Sequence, residues 1–233
     1  MKIYRITTKT IDEVLHYSPI PLHNNTLKEP DFLKADLNRL IKGENGVIDG
    51  ELLRNVIFPT KVFEIFISHS HDDLEIARKF ALWLKCKLRY DVFLDSFVWG
   101  SSDDLLQEID ELYCKQKDGL YNYRSRNYST AHVHTLLSMS IMEIIKRSKV
   151  GILIDSHHSI NLKRLRNSNQ AKTLSPWIYQ EIMFMRQFAT NSSSTRVFSS
   201  KNLNEDLQIA HSVDLSGFKT LTAKYLINRK PLF

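Results

Sequence analysis

The segment Glu64–Asp73 joins an apolar run to a cluster of side chains that could bind a metal or a nucleotide. Hydroxyls, imidazoles and carboxylates replace the apolar residues within a few positions of Ile67. An amphipathic helix is predicted to follow at once. In open α/β sheets, ligands bind at the carboxyl ends of strands, where such a junction lies. The segment is therefore predicted to line a functional site.

A metal centre is one interpretation of this segment. His69, His71 and Asp73 resemble the His-x-His-x-Asp-His motif of metallo-β-lactamase-like hydrolases, and zinc accepts imidazole and carboxylate ligands. However, Leu74 stands where that motif has its last histidine, and the glycine that usually follows is missing. A metal-dependent hydrolase stays an alternative, and no metal ligands are assigned.

A second candidate site lies at the start of a late predicted helix. Ser175 is a suitable N-cap, and Pro176 fits the first helical position. Trp177 and Glu181 are four residues apart, so an aromatic ring and a carboxylate share one face near the helix N-terminus. The other face is apolar and predicted to be buried. On spacing alone, a half-buried Trp177 beside a solvated Glu181 is the simpler explanation of this pattern.

Composition is ordinary for a soluble globular protein, since 42% of residues are apolar and 25% are charged. Two free thiols in a chain without a recognisable export signal predict a cytoplasmic location. No apolar stretch approaches the roughly 20 residues that span a bilayer, so no membrane association is expected. Cys86 and Cys114 have no metal-binding or redox spacing. The net charge of +6 is spread widely. One compact basic cluster, Lys163 with Arg164 and Arg166, reads as a solvated loop, and no nucleic acid partner is expected.

Strands alternate with amphipathic helices along most of the chain, which predicts a parallel, doubly wound α/β sheet. The predicted strands are Val62–Ile67, Asp91–Asp95 and Val150–Asp155, followed by two weaker ones at Arg196–Phe198 and Leu207–Leu215. Residues 1–60 read as a mainly helical N-terminal extension, in which Ile3–Ile6 could form a short strand. Residues 61–233 read as the α/β domain, with an insertion around 113–134.

Combined in order, these segments resemble the Toll/interleukin-1 receptor (TIR) domain family over roughly residues 62–230. The matching segments are Phe66–Asp73, Val92–Ser96, Gly100–Leu106, Lys146–Ile154 and, like the family's Ser-x-Trp-x-x-x-Glu, Ser175–Glu181. The long segment near residues 113–134 and the loop after the second strand are more similar to bacterial TIR proteins, including those of Thoeris-type phage defence.

The resemblance implies a flavodoxin-like, five-stranded parallel sheet of order 2-1-3-4-5 with helices on both faces. It implies an enzyme that cleaves NAD, with NAD as substrate and no separate cofactor. The catalytic carboxylate would be Glu181, which would stabilise the oxocarbenium-like ribosyl centre as nicotinamide leaves. The residues expected to bind the substrate are Phe66, Ser68, His69, Ser70, Asp95, Trp99 and Trp177.

The resemblance also implies a product and partners. Water attack on the ribosyl centre gives ADP-ribose, whereas attack by the adenine or by a ribose hydroxyl gives a cyclic ADP-ribose-type signal. Such a signal would act on a separate effector protein in antiphage defence, and TIR–TIR contacts would build a homo-oligomer. A non-catalytic TIR interaction scaffold is the alternative. In the inserted region, Tyr128, His132 and His134 either lie on the surface or reach the cleft.

Overall fold

The computed structural model describes residues 1–20, 47–58, 61–160, 171–189 and 209–233, except for the side chains of 56–57 and 97–104. In chain order the elements are β1 Lys2–Thr7, α1 Thr8–Tyr17, α2 Gly50–Ile57, β2 Ile65–Ser68, a 3-10 turn His71–Asp73, α3 Leu74–Leu88, β3 Val92–Leu94, α4 Ser96–Tyr113, α5 Tyr123–Arg147, β4 Val150–Asp155, β5 Lys172–Thr173, α6 Pro176–Phe188, β6 His211–Ser212, β7 Lys219–Thr220 and α7 Ala223–Ile227. None of the described helices is long and apolar enough to cross a membrane.

The α/β prediction is confirmed, with a five-stranded, all-parallel sheet of order β3-β2-β4-β1-β7. Every residue of β2 is buried, as are the first five residues of β4. Strands that are covered on both faces have no polar side to expose, so they read as continuous apolar runs. That pattern made β2 and β4 predictable.

The predicted strand order 2-1-3-4-5 is wrong beyond its third strand. The first three predicted strands do lie in the order 2-1-3, as β3, β2 and β4. The next position is taken by β1, which pairs with β4 from Lys2 and Val150 to Thr7 and Asp155. β7 forms the edge.

The two weaker predicted strands do not supply the missing sheet positions within the described residues. The one at Arg196–Phe198 lies outside those residues. From the one at Leu207–Leu215, the described residues 209–215 contain one strand, His211–Ser212, which pairs antiparallel with β5 in a separate two-stranded sheet. Strand β1 occupies the position next to β4 in the main sheet. Its apolar side chains Ile3, Tyr4 and Ile6 are buried, which stabilises this pairing.

The chain divides into two compact units. The sheet unit comprises Met1–Leu27, Val62–Asp95 and Ile144–Phe233, and the helical unit comprises Lys28–Lys61 and Ser96–Glu143. Prediction placed residues 1–60 outside the α/β domain, whereas this division assigns the first strand to the sheet unit. The difference arises because pairing of β1 with β4 spans almost 150 residues and leaves no local signal.

A buried aspartate network joins two helices within the helical unit. Asp110, near the end of α4, is 4% exposed and accepts hydrogen bonds from Ser129 Oγ at 2.7 Å and Arg126 Nε at 2.8 Å. Burial by itself would raise the pKa of Asp110, but these hydrogen bonds outweigh it and lower the pKa. A second link, from Arg54 Nη1 to Glu143 Oε1 at 3.0 Å, ties α2 to α5.

Helix α5 begins at Tyr123, within the segment that the sequence indicated as an insertion around 113–134. Asn122 caps it, since its side-chain oxygen accepts a hydrogen bond from the backbone N–H of Ser125 at 3.0 Å. The first turns carry exposed polar and tyrosine side chains, so the apolar period that predicts a buried helix is absent there.

Gly151 allows α6 to pack closely against β4. A Cβ atom at this position would lie 2.6 Å from Met185 Sδ and 2.9 Å from its Cγ. Because Met185 is fully buried, it has little room to move away.

We expect Gly151→Ala to lower the free energy of unfolding by about 1–3 kcal/mol, since it overpacks the contact between β4 and α6. Urea denaturation followed by circular dichroism measures this change. Gly50→Ala is the matched control, because a Cβ atom there meets nothing within 4 Å. Equal stability of the two variants would contradict the close approach of α6.

Candidate functional site

Polar residues of the sheet unit collect where β2, β3 and β4 end. In the parallel register Ile67 lies beside Leu94, and Ser68 lies beside Leu153. The residues that follow these strands therefore meet at one edge of the sheet. This edge is the place where open α/β sheets bind ligands.

His69 and Asp95 form a buried pair at this edge. Asp95 Oδ1 lies 2.5 Å from His69 Nδ1, and its Oδ2 accepts a hydrogen bond from the His69 backbone N–H at 3.2 Å. The two side chains are 1% and 3% exposed. One carboxylate thus holds both the backbone and the ring of His69, which fixes the direction of the imidazole.

Two buried polar atoms at this edge are candidates for contact with a ligand. Ser68 Oγ and His69 Nε2 are buried and have no hydrogen-bond partner within the described part of the chain. Buried polar groups are nearly always hydrogen-bonded, because leaving one unpaired costs about 1–3 kcal/mol. Each atom is therefore a candidate contact for a bound molecule with a hydroxyl or amide group.

A hydrogen-bond network ties the turn after β2 to the loop after β4. Asp73 Oδ2 accepts from Ser156 Oγ at 2.5 Å. Ser159 Oγ in turn accepts from the Ser156 backbone N–H at 2.9 Å and donates to the Ile154 carbonyl at 2.8 Å. Asp73 occupies the N-cap position of α3 but makes no side-chain cap hydrogen bond there. Asp73 binds Ser156, 83 residues away in sequence, instead.

Helix α6 starts as predicted. Ser175 Oγ accepts a hydrogen bond from the Ile178 backbone N–H at 3.2 Å, and Pro176 occupies the first turn. Glu181 is 1% exposed, whereas Trp177 is half-buried. A solvated Glu181, as spacing alone suggested, is therefore wrong. Burying a carboxylate is costly, so its presence at this position requires a compensating structural or chemical role.

The other predicted substrate-binding residues have different surroundings. Phe66 is fully buried and stacks on Phe93, with ring centroids 6.1 Å apart. Ser70 is half-buried, and its carbonyl accepts from the Asp73 backbone N–H at 2.9 Å. The side chain of Trp99 lies outside the described residues.

Other residues weighed in the sequence belong to the helical unit or lie outside the described residues. Tyr128 and His132 are exposed on α5 of the helical unit, with ring centroids 4.3 Å apart, and His134 is also exposed. The basic cluster at Lys163 lies outside the described residues. Across the ranges that the structure describes, no three His, Cys, Asp or Glu side chains are arranged to hold a metal ion.

Sequence reasoning missed an ion pair at the end of the central strand. Asp155 Oδ2 lies 3.6 Å from Nη1 of Arg5 on the neighbouring β1. Burial raises the pKa of Asp155, and the charge of Arg5 opposes that shift only in part. No sequence pattern indicates this ion pair, because Arg5 and Asp155 come together only when β1 lies beside β4.

The fold and this edge define an α/β protein with a parallel sheet whose polar residues gather at the strand ends. No protein-family model matches the chain, and neither curated proteins nor solved structures match it. Its function must therefore be argued from its own residues.

Asp95→Ala should lower the free energy of unfolding by about 1–3 kcal/mol, because it leaves the buried backbone N–H of His69 without its acceptor and removes the carboxylate beside the ring. Asp95→Asn should cost less, since the amide oxygen can still accept from the backbone N–H. Chemical denaturation of both variants tests this order. Asp72→Ala is the control: its side chain is 64% exposed, and its loss should change stability by no more than about 0.5 kcal/mol.

Asp155 is expected to make folding less favourable as pH rises. With a raised pKa, the folded protein keeps a proton on Asp155 that the unfolded chain loses above its ordinary value of 3.8. Asp155→Asn should therefore be more stable than the wild type at neutral pH, with the difference vanishing below 3.8.

Asp214→Asn provides the control with opposite sign for this measurement. Hydrogen bonds from Ser216 lower the pKa of Asp214, so its stabilising effect is present at neutral pH and is lost on acidification. Denaturation curves at neutral and acidic pH should show the two variants shifting in opposite directions. A shift of the same sign would contradict the raised pKa of Asp155.

Proposed function

We propose that this chain is a bacterial TIR-type enzyme that cleaves NAD and releases nicotinamide. The observation that carries the proposal is the buried carboxylate of Glu181, one helical turn after the half-buried Trp177 on a helix capped by Ser175. This is the arrangement that the Ser-x-Trp-x-x-x-Glu resemblance implies for the reacting carboxylate. The neighbour order β3-β2-β4 supports the same reading, since it matches the first three strands expected of a TIR domain.

A single carboxylate is sufficient for this reaction. Nicotinamide leaves as a neutral molecule from a cationic linkage, so its departure needs little help from an acid. The ribosyl carbon develops positive charge, which a nearby carboxylate stabilises. Burial strengthens this effect, because the effective dielectric constant around Glu181 is lower than in water. Trp177 would pack against the base or the ribose.

The His69–Asp95 pair would position the substrate rather than react with it. Its fixed ring and the neighbouring Ser68 hydroxyl offer the two polar atoms that a ribose or phosphate would satisfy. Ser70 would lie close by on the same loop. Phe66 would support this wall from below, since it packs in the core against Phe93.

Substrate entry requires movement. At 1% exposure the Glu181 carboxylate is covered, so NAD can reach it only after covering side chains are displaced. Completion of the site on substrate binding or on assembly would explain how an NAD-consuming enzyme stays inactive at rest. The product would be ADP-ribose or a cyclic ADP-ribose-type signal for a separate effector protein, in the cytoplasmic antiphage setting that the resemblance implies.

A non-catalytic TIR scaffold is the second candidate, and the same burial of Glu181 favours it. A carboxylate inside the sheet unit could serve only to hold α6 against its surroundings. The two candidates differ in whether Glu181 is needed for turnover or only for stability.

Glu181→Gln should reduce nicotinamide release from NAD by at least about 100-fold, because it removes the charge that stabilises the transition state. Purified wild-type and variant proteins are compared by chromatography of the products, and thermal melting reports on folding. Glu75→Gln, at a side chain 84% exposed on α3, is the matched control and should retain full activity.

Three other outcomes of this experiment would contradict the proposed reaction or the role of Glu181 in it. Equal release by wild type and Glu181→Gln would remove the catalytic role of Glu181. If no assembly state of the wild type releases nicotinamide, the scaffold is favoured. Stoichiometric zinc in the purified protein would instead support the metal-dependent hydrolase.

A further inference from the structure

Helix α5 presents a continuous exposed stripe on the helical unit. Arg124, Tyr128, His132, Thr135 and Met139 are spaced by three or four residues, so they lie on one side of the helix. All five are exposed, and Tyr128 and Met139 reach 70% and 49%. The opposite side of α5 is the buried one, which carries Val133, Leu137 and Ile144.

A wide groove of the helical unit runs along this stripe. Its volume is 1220 Å³, and all five stripe residues line it. Leu53 and Ile109 contribute apolar lining from α2 and α4. The volume exceeds the roughly 300–1,000 Å³ of typical small-molecule sites, and the groove is open.

The stripe is complementary to itself when it is reversed. In an antiparallel pairing centred midway between Val133 and His134, Tyr128 faces Met139 and His132 faces Thr135. In the same register, Arg124 faces Glu143 at the two ends. A two-fold interface requires this reciprocity, because residue i contacts j wherever j contacts i. We propose that a second copy of this chain packs the stripe of its own α5 antiparallel against this stripe and forms a two-fold dimer.

Charge selects the antiparallel direction over the parallel one. Glu143 accepts a hydrogen bond from Arg54 at 3.0 Å and keeps 38% of its side chain exposed. In the antiparallel dimer, the Arg124 side chain from the second copy joins this pair at each end. A parallel pairing in register would place Arg124 against Arg124, and like charges at an interface disfavour that partner orientation.

The central contacts supply the apolar part of the interface. Sulfur–aromatic contacts such as those between Tyr128 and Met139 are favourable, and the two-fold axis repeats the contact twice. Both side chains are largely exposed in the single chain, so pairing removes their apolar surface from water. The dimer does not depend on the reaction proposed for Glu181.

The first test measures the mass of the wild-type protein and its variants by sedimentation equilibrium. Wild type should be a dimer, and Tyr128→Glu or Met139→Glu should weaken dimerisation by about tenfold or more. Leu112→Glu is the control: Leu112 is 50% exposed on α4 but does not line the groove, so its variant should remain a dimer. A monomeric wild type, or dimers unaffected by both stripe variants, would overturn the proposal.

The second test fixes the register with disulfide formation between different variants. Positions 128 and 139 lie about 16 Å apart along one helix, too far for a disulfide between like positions across the axis. Mixing Tyr128→Cys with Met139→Cys, each in a Cys86→Ser background, should give a crosslinked dimer on mild oxidation. Each heterodimer keeps one intact contact between Tyr128 and Met139.

Either variant incubated alone is the control for this mixture and should stay uncrosslinked. Crosslinking of one variant alone, without the mixed product, would show another register and refute the proposed pairing. Thermal melting of each variant confirms that it is folded, so loss of the dimer cannot be ascribed to unfolding.

Discussion

The central strand β4 constrains the rest of the sheet unit. It pairs with β2 on one side and with β1 on the other, and its buried residues leave no face for solvent. Its carboxyl end therefore determines where the polar loops of three neighbouring strands meet. Gly151 adds a second constraint, because the missing side chain lets Met185 bring α6 against the strand. The helix with Trp177 and Glu181 is positioned by this contact.

Buried polar groups are the other characteristic of this edge. His69, Asp95 and Asp73 are all nearly inaccessible to water, where an ionisable side chain costs free energy unless it is compensated. Asp73 and Asp95 have defined partners on other loops, so the edge is held in one arrangement before a ligand arrives. Such preorganisation is what electrostatic catalysis requires, since fixed charges need no rearrangement as the reaction proceeds. The same groups also serve a purely structural role if no substrate enters.

The helical unit combines a buried polar network with an exposed helix face. Its interior polar network around Asp110 ties α4 to α5, while the outer face of α5 stays exposed and carries aromatic and sulfur-containing side chains. Exposed apolar surface of this kind marks interaction sites in soluble proteins. Assembly and chemistry would thus reside on separate parts of the chain.

The sequence by itself determined the elements whose signals are local. Continuous apolar runs identified β2 and β4, and Ser175 with Pro176 marked the start of α6, because burial on both faces and capping depend on neighbouring residues. The contacts of the site were decided only by the tertiary structure. Strand β1 entered the sheet through pairing with a strand almost 150 residues away, and Asp73 bound Ser156 instead of capping its own helix. Burial of Glu181 was likewise unreadable from helical spacing, which specifies a shared face but not what covers it.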